Sequence, residues 1–326
     1  MGGTKTGFDE KINRITEAAE GFTENVGRVI VGKKEAIRSV FIGLLCGGHL
    51  LIEDVPGVGK TLLAKAAARS LGCTFKRIQC TPDLLPADVT GLHYFNQKSS
   101  EFEFRPGPIL ANFVLVDEIN RAMPRTQSCL LECMQEQQVT VDWHTFLLPR
   151  PFLILATQNP IELEGTFPLP EAQLDRFLLR VKLGYPAAEE EEGILTRFQE
   201  TNPLDSLSAI LEMGELLELQ SLSRRIFVEP SVRGYITSLT RATRNHADIR
   251  LGASPRSSLG LHSAAQAFAA LQGRNFVIPD DVKSLAIPVL AHRLLLKAET
   301  RMRGKNEEEV LREILDRTPV PLEGPA

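Results

Sequence analysis

The run Leu51-Ile52-Glu53-Asp54-Val55-Pro56-Gly57-Val58-Gly59-Lys60-Thr61 sets an apolar stretch directly before two glycines, a lysine and a threonine, and it narrows the choice of fold more than any other segment. A loop that holds a phosphate chain does so with converging backbone amides, and glycines at 57 and 59 let it curl close without a Cβ in the way. Lys60 then reaches the β and γ phosphates, and the Thr61 hydroxyl coordinates magnesium. The following Leu62-Leu63-Ala64-Lys65-Ala66-Ala67-Ala68-Arg69 is a good helix former whose N-terminal dipole adds to the attraction. His49 to Glu53 reads as a buried strand, so strand, loop and helix stand in the order that an α/β layer requires. Asp54 departs from the generic G-x-x-x-x-G-K-S/T pattern, standing where the first glycine is expected. Its carboxylate either turns away from the phosphates or faces and repels them.

A second motif, Val114-Leu115-Val116-Asp117-Glu118, has two readings. It is a buried strand that ends in two solvated acids, or it places Asp117 on magnesium and its coordinated water and makes Glu118 the base that activates the attacking water. The phosphate loop upstream favours the second reading and marks the chain as nucleotide-driven.

Bulk properties exclude other classes. A chain of 326 residues is long enough for a large core and two domains, and a formal net charge of -4 gives no electrostatic bias toward nucleic acid. Stable DNA or RNA binding is not expected. No uninterrupted apolar segment reaches the roughly 18 to 20 residues that a bilayer span needs. Residues 1–7 lack the apolar core of a signal peptide, so a soluble cytoplasmic protein with no transmembrane segment is expected. The cysteines at 46, 73, 80, 129 and 133 lack paired C-x-x-C spacing, and no histidine clusters with Cys129 and Cys133. They read as reduced, partly buried thiols rather than zinc ligands.

Along the chain, residues 8–28 and a segment ending near Cys46 carry helical spacing, interrupted at Val31-Gly32-Lys33. Residues 75–80 resemble a short strand, 81–91 a turn-rich segment, and 92–108 a surface insertion that either binds a partner or serves as a packed connector. Residues 125–137 have a helical pattern, and a hairpin is expected around Asp142-Trp143-His144-Thr145. Phe152 to Thr157 reads as another buried strand, which brings Asn159 to where a polar group can sense a reacting phosphate. Gly184-Tyr185-Pro186 marks a domain boundary, and Glu189 to Glu192 begins a solvated helix. Beyond it, helical patterns broken by Pro203, Pro230 and Pro255 give a smaller helical domain, with a proline-rich tail from Thr318.

Leu84-Leu85-Pro86-Ala87-Asp88-Val89-Thr90-Gly91, Phe104-Arg105-Pro106-Gly107-Pro108, Asp117-Glu118-Ile119-Asn120-Arg121-Ala122, Ala156-Thr157-Gln158-Asn159-Pro160 and the segment from Leu169 to Phe177 together resemble the MoxR family of AAA+ ATPases, from about residue 12 to residue 315. The resemblance implies an α/β AAA+ P-loop core with a parallel sheet over residues 1–186, followed by a helical lid domain and tail over 187–326. It also implies a helix-two insertion near 88–108 and a pre-sensor hairpin near 138–151. It assigns ATP or ADP contacts to Val31, Gly32, Pro56, Gly57, Val58, Gly59, Lys60, Thr61, Leu62, Asp117 and Arg256, and magnesium to Thr61 and, through water, Asp117. Asn159 becomes the first sensor, Arg256 the second, and Arg176 the arginine finger that reaches a neighbouring subunit's ATP. Departures from the family pattern fall at Asp54, Met123, Cys129 and Cys133.

The resemblance thus implies ATP hydrolysis in a homo-oligomeric ring, most simply a hexamer, with chaperone-like assembly or activation of a protein or metal/cofactor-containing complex. A partner with a von Willebrand factor A domain goes with that role. Two competing expectations are a nucleotide-gated binding scaffold with little catalysis, motivated by Asp54, and a DNA-associated AAA+ motor, which the acidic net charge opposes.

Overall fold

Strands whose residues are nearly all apolar must be covered on both faces, which is the condition of a parallel sheet between helices. In the computed structural model, which describes residues 3–159, 165–199 and 202–321, three such strands form the centre. They are β1 (His49–Glu53), β5 (Phe113–Asp117) and β8 (Leu153–Gln158), each buried except at its last residue. β2 (Phe75–Gln79), with three exposed residues, flanks them. These parallel strands stand in the order β2-β5-β8-β1, with Ile78 opposite Val116, Val114 opposite Ile154 and Leu50 opposite Leu155. Parallel pairing brings Glu53, Gln79, Asp117 and Gln158 out at the same end, the carboxyl edge where α/β sheets bind ligands.

By compactness the chain forms two units, neither of them continuous: an α/β unit of residues 21–169 and 181–217, and a helical unit of residues 1–20, 170–180 and 218–326. Helix α1 (Gly3–Gly27) runs through the first cut. Within the α/β unit, α2 (Lys34–Cys46) ends at Gly47, whose left-handed φ of 63° lets its amide cap Gly43 and Leu44. Gly43 has no room for a Cβ against Leu50, so α2 lies directly on β1. Helix α3 (Lys60–Ser70) buries Leu63, Ala64, Ala66, Ala67 and Ala68. His49, buried in β1, donates from Nε2 to the Met134 carbonyl and accepts the Ile154 amide on Nδ1, both at 3.0 Å. This imidazole is structural, and burial pushes its pKa down to about 4.

The segment expected to be turn-rich contains a short helix, α4 (Pro86–Thr90), because the Asp88 carboxylate accepts the Leu85 amide at 2.9 Å and proline fits the first helical position. The expected insertion is a separate hairpin of β3 (Gly91–Asn96) and β4 (Glu101–Pro106). After α5 (Pro124–Glu136), β6 (Gln138–Val141) and β7 (His144–Leu147) form a second hairpin with a tighter turn than expected, since Asp142 accepts a left-handed φ of 55°. Phe104 of the first hairpin stacks on Phe146 of the second, ring centroids 4.2 Å apart, while Trp143 at the turn is 84% exposed. Its indole is open to solvent rather than packed in the core.

Next come α6 (Glu171–Leu174), β9 (Phe177–Val181), α7 (Ala188–Arg197) and α8 (Met213–Ser223). The helical unit is built on α9 (Pro230–Arg244), α10 (Pro255–Leu271) and α11 (Pro279–Leu290), with α12 (Ala298–Met302) and α13 (Glu307–Arg317) after them. Pro230 and Pro255, expected as breaks, are the first helical residues, where the missing amide proton costs nothing. Pro203 likewise opens a 3-10 turn. A small antiparallel pair, β10 (Ile249–Leu251) and β11 (Leu295–Leu296), was not foreseen. Part of the expected tail, residues 322–326, lies outside the described residues. No helix among the described residues is long and apolar enough to cross a membrane.

Candidate active site

The loop between β1 and α3 takes its shape from two left-handed residues, Gly57 at φ +84° and Gly59 at φ +93°. Gly59 is the N-cap of α3, so the free amides of that helix's first turn face the loop's concavity. Nothing approaches a built Cβ within 4 Å at either glycine, so the requirement here is backbone conformation rather than crowding. The loop and the carboxyl edge of the sheet enclose a cavity of about 350 Å³. Pro56, Gly57, Gly59, Lys60, Thr61 and Leu62 wall it on one side, and Asp117, Glu118 and Asn159 on the other. Burial lowers the Lys60 pKa, with partial offset from Asp117, Asp54 and Glu118.

Asp54 turns away from this cavity. One carboxylate oxygen accepts the Val55 amide at 2.9 Å, and the other accepts the Leu183 and Gly184 amides, each at 2.6 Å. Three charge-assisted bonds to backbone donors fix the side chain behind the loop, while its carbonyl accepts the Lys60 ammonium at 2.7 Å. Of the two orientations open from the sequence, the structure adopts the one that spares the phosphates.

At the acidic edge, the Thr157 hydroxyl donates to Asp117 Oδ1 at 2.5 Å and accepts the Glu118 amide at 2.8 Å. Glu118 holds a left-handed φ of 56°, uncommon for a residue with a side chain, and one that a site must enforce from outside. Two residues that sequence reasoning missed complete the edge. Arg77 donates from Nε and Nη2 to Asp117 Oδ2, at 3.1 and 2.6 Å, and Gln79 Nε2 donates to Glu118 Oε2 at 3.0 Å. Both lie on one face of β2, as their spacing of two indicates, but only the pairing of Gln79 opposite Asp117 reveals what that face meets. Arg121 adds a 3.3 Å contact to Glu118.

Other candidates stand elsewhere. Val58 is not in the cavity wall, nor are Val31 and Gly32, which lie in the turn between α1 and α2. Gly32 has φ +74°, and a Cβ there would collide with the Glu190 carboxylate. The neighbouring Lys33 donates to the Tyr185 carbonyl at 2.9 Å. Arg176, between α6 and β9, and Arg256, the second residue of α10, belong to the helical unit.

A parallel sheet, a glycine loop capping a helix and paired acids on the adjacent strand end define a P-loop nucleoside triphosphatase. The family model for the ATPase family associated with various cellular activities (AAA) matches residues 49–179, and the AAA lid domain model matches residues 241–314. The chain is 48% identical over 300 residues to the uncharacterized protein YeaC of Bacillus subtilis, covering 92% of this chain and 94% of YeaC. It is 44% identical over 305 residues to chaperone MoxR1 of Mycobacterium tuberculosis (91% and 80% covered), and 30% identical over 338 residues to protein MoxR of Methylorubrum extorquens (96% and 98%). A crystal structure from Cytophaga hutchinsonii superposes with a TM-score of 0.91 at 37% identity, covering 97% of this chain and 99% of that one. The chain belongs to the MoxR-type AAA+ ATPases. It hydrolyses ATP, and its nucleotides are ATP and ADP. MoxR-type ATPases often form oligomers.

Proposed function

We propose that hydrolysis occurs in the cavity at the carboxyl edge of the sheet, with Glu118 taking a proton from the attacking water. The observation that supports this is the meeting of Lys60, Thr61, Asp117, Glu118 and Asn159 around one cavity. Lys60 neutralises the β and γ phosphates, Asn159 orients the terminal phosphate, and the loop amides hold the chain in place. Thr61 and Asp117 offer the hard oxygen donors that suit magnesium, and they would hold it there. Bound magnesium would supply charge neutralisation on the phosphates. Arg176 completes the site of a neighbouring subunit and Arg256 senses the nucleotide state, so turnover requires a ring, most simply a hexamer.

The work done with that turnover is chaperone-like assembly or activation of a protein or metal/cofactor-containing complex in the cytoplasm, with a von Willebrand factor A domain protein as partner. The likeness to chaperone MoxR1 supports this reading. Functionally we divide the chain after residue 186 into core and lid. The scaffold alternative loses its motivation, because the Asp54 carboxylate is spent on backbone amides.

Glu118→Gln keeps the shape of the site and removes the base, so ATP binding persists while phosphate release falls about a thousandfold. Phosphate release by wild type and variant, measured across the concentrations of ring assembly, checks this. Unchanged turnover in the variant removes Glu118 from its role.

A further inference from the structure

Within the helical unit, the turn that carries Arg176 is held on both flanks. Before it, Asp175 accepts the Ser254 hydroxyl on Oδ2 at 2.8 Å and the Ser257 hydroxyl on Oδ1 at 3.3 Å. After it, the Phe177 carbonyl accepts Arg293 Nη2 at 2.6 Å and His292 Nε2 at 3.0 Å. The two serines also cap each other's backbone at the start of α10. Ser254 Oγ accepts the Ser257 amide at 3.2 Å, and Ser257 Oγ accepts the Ser254 amide at 3.0 Å. Each hydroxyl therefore gives a lone pair to the helix cap and its proton to Asp175. Arg256 lies between these two serines in the sequence.

Arg293 closes the arrangement. Its side chain is only 3% exposed, and its Nη1 lies 3.6 Å from Asp175 Oδ1, the one carboxylate paired with it among the described residues. Burial lowers the Arg293 pKa to about 10, an effect that Asp175 opposes and Arg256 deepens. Removing one member of such a buried pair leaves the other charge uncompensated, so Asp175 and Arg293 hold each other in place.

We propose that Asp175 is a positioning residue: its carboxylate fastens the turn presenting Arg176 to the first turn of α10 presenting Arg256, so that the two arginines move as one body. This rests on the phosphate-directed roles given to both arginines above. A finger and a sensor so joined change position together when either meets its phosphate.

The test is steady-state ATP turnover of assembled full-length chain carrying Asp175→Asn, with Ser257→Ala as a gentler second variant and Arg176→Ala and Arg256→Ala as references. A misplaced reacting group costs turnover rather than binding, so Asp175→Asn is expected to lower kcat about tenfold or more, with KM for ATP within about twofold of wild type. Ser257→Ala, which keeps the ion pair, gives a smaller loss in kcat with the same constant KM. The Arg176→Ala/Arg256→Ala double variant loses about as much as the worse single variant, because residues acting as a unit are not additive. Wild-type kcat in folded Asp175→Asn and Ser257→Ala beside inactive arginine variants overturns the proposal and leaves the arginine roles standing. A fall of kcat that only tracks a lowered Tm also overturns it. Full activity of the arginine variants removes the roles on which it rests. If Asp175→Asn does not fold, Ser257→Ala decides.

Discussion

The phosphate loop and the acidic edge of the same cavity are built in opposite ways. The loop is contiguous and obtains its shape from two local φ angles, at Gly57 and Gly59. The edge is assembled from β2, β5 and β8, and its side chains are set by bonds such as Thr157 to Asp117 and Gln79 to Glu118. A contiguous loop carries its geometry with it, whereas an edge drawn from three strands exists only while the sheet holds its register. Changes to the sheet frame should therefore appear as lost stability, and changes at the edge as altered nucleotide handling.

The largest expected effect tests the frame. His49 ties β1 to β8 and to the end of α5 as a neutral ring, with a folded pKa of about 4 against 6.5 for the free side chain. Between these two values the unfolded chain binds a proton that the folded chain refuses. The contribution is thus complete above pH 6.5 and disappears as pH falls toward 4. About 3 kcal/mol of unfolding free energy is lost over that window from His49. His292, buried with its pKa lowered by burial first and by Arg293 next, acts in the same direction. Denaturant unfolding at a series of pH values measures the slope, and His49→Gln should flatten it. An equally steep profile in the variant removes His49 as the source.

A smaller effect separates loop from brace. Asp54→Gly restores the generic glycine but strips the Leu183 and Gly184 amides of their acceptor, costing about 2 kcal/mol of stability. KM for ATP should stay within about twofold, since the carboxylate faces away from the phosphates. A large gain in affinity would break the comparison by showing that Asp54 does act on the nucleotide.

The smallest effect concerns the edge. Arg77 is 46% exposed, so its pair with Asp117 is worth no more than about 1 kcal/mol. Arg77→Ala frees Asp117 beforehand, and calorimetric titration with Mg-ATP should show binding up to about fivefold tighter. Weaker binding would mean that Arg77 assists the nucleotide.

The same contrast explains what could be read in the amino-acid sequence. The loop, the buried strands at 49–53, 113–117 and 153–158, and the acids at 117 and 118 were legible because each is a local pattern. Arg77 and Gln79 looked like ordinary residues of a short strand, since their meaning depends on which strand pairs with β2. The orientation of Asp54 was undecidable because its partners, Leu183 and Gly184, are distant in sequence. α4 was hidden in a proline-rich stretch whose composition reads as turn, and the side-chain bond that opens it, from the Leu85 amide to Asp88, is not a compositional signal. Asp175 drew no notice beside Arg176, because the serines that grip it lie far along the chain.

The chain's single tryptophan, Trp143, projects into water at the tip of the β6–β7 hairpin. The protein consequently carries its own optical reporter. Fluorescence excited selectively through that indole originates from one spot, emits at the long wavelength of a hydrated ring, and is open to soluble quenchers. Any protein that covers the hairpin will shift the emission to the blue and shield it from iodide, without a label and without altering a residue of the nucleotide cavity.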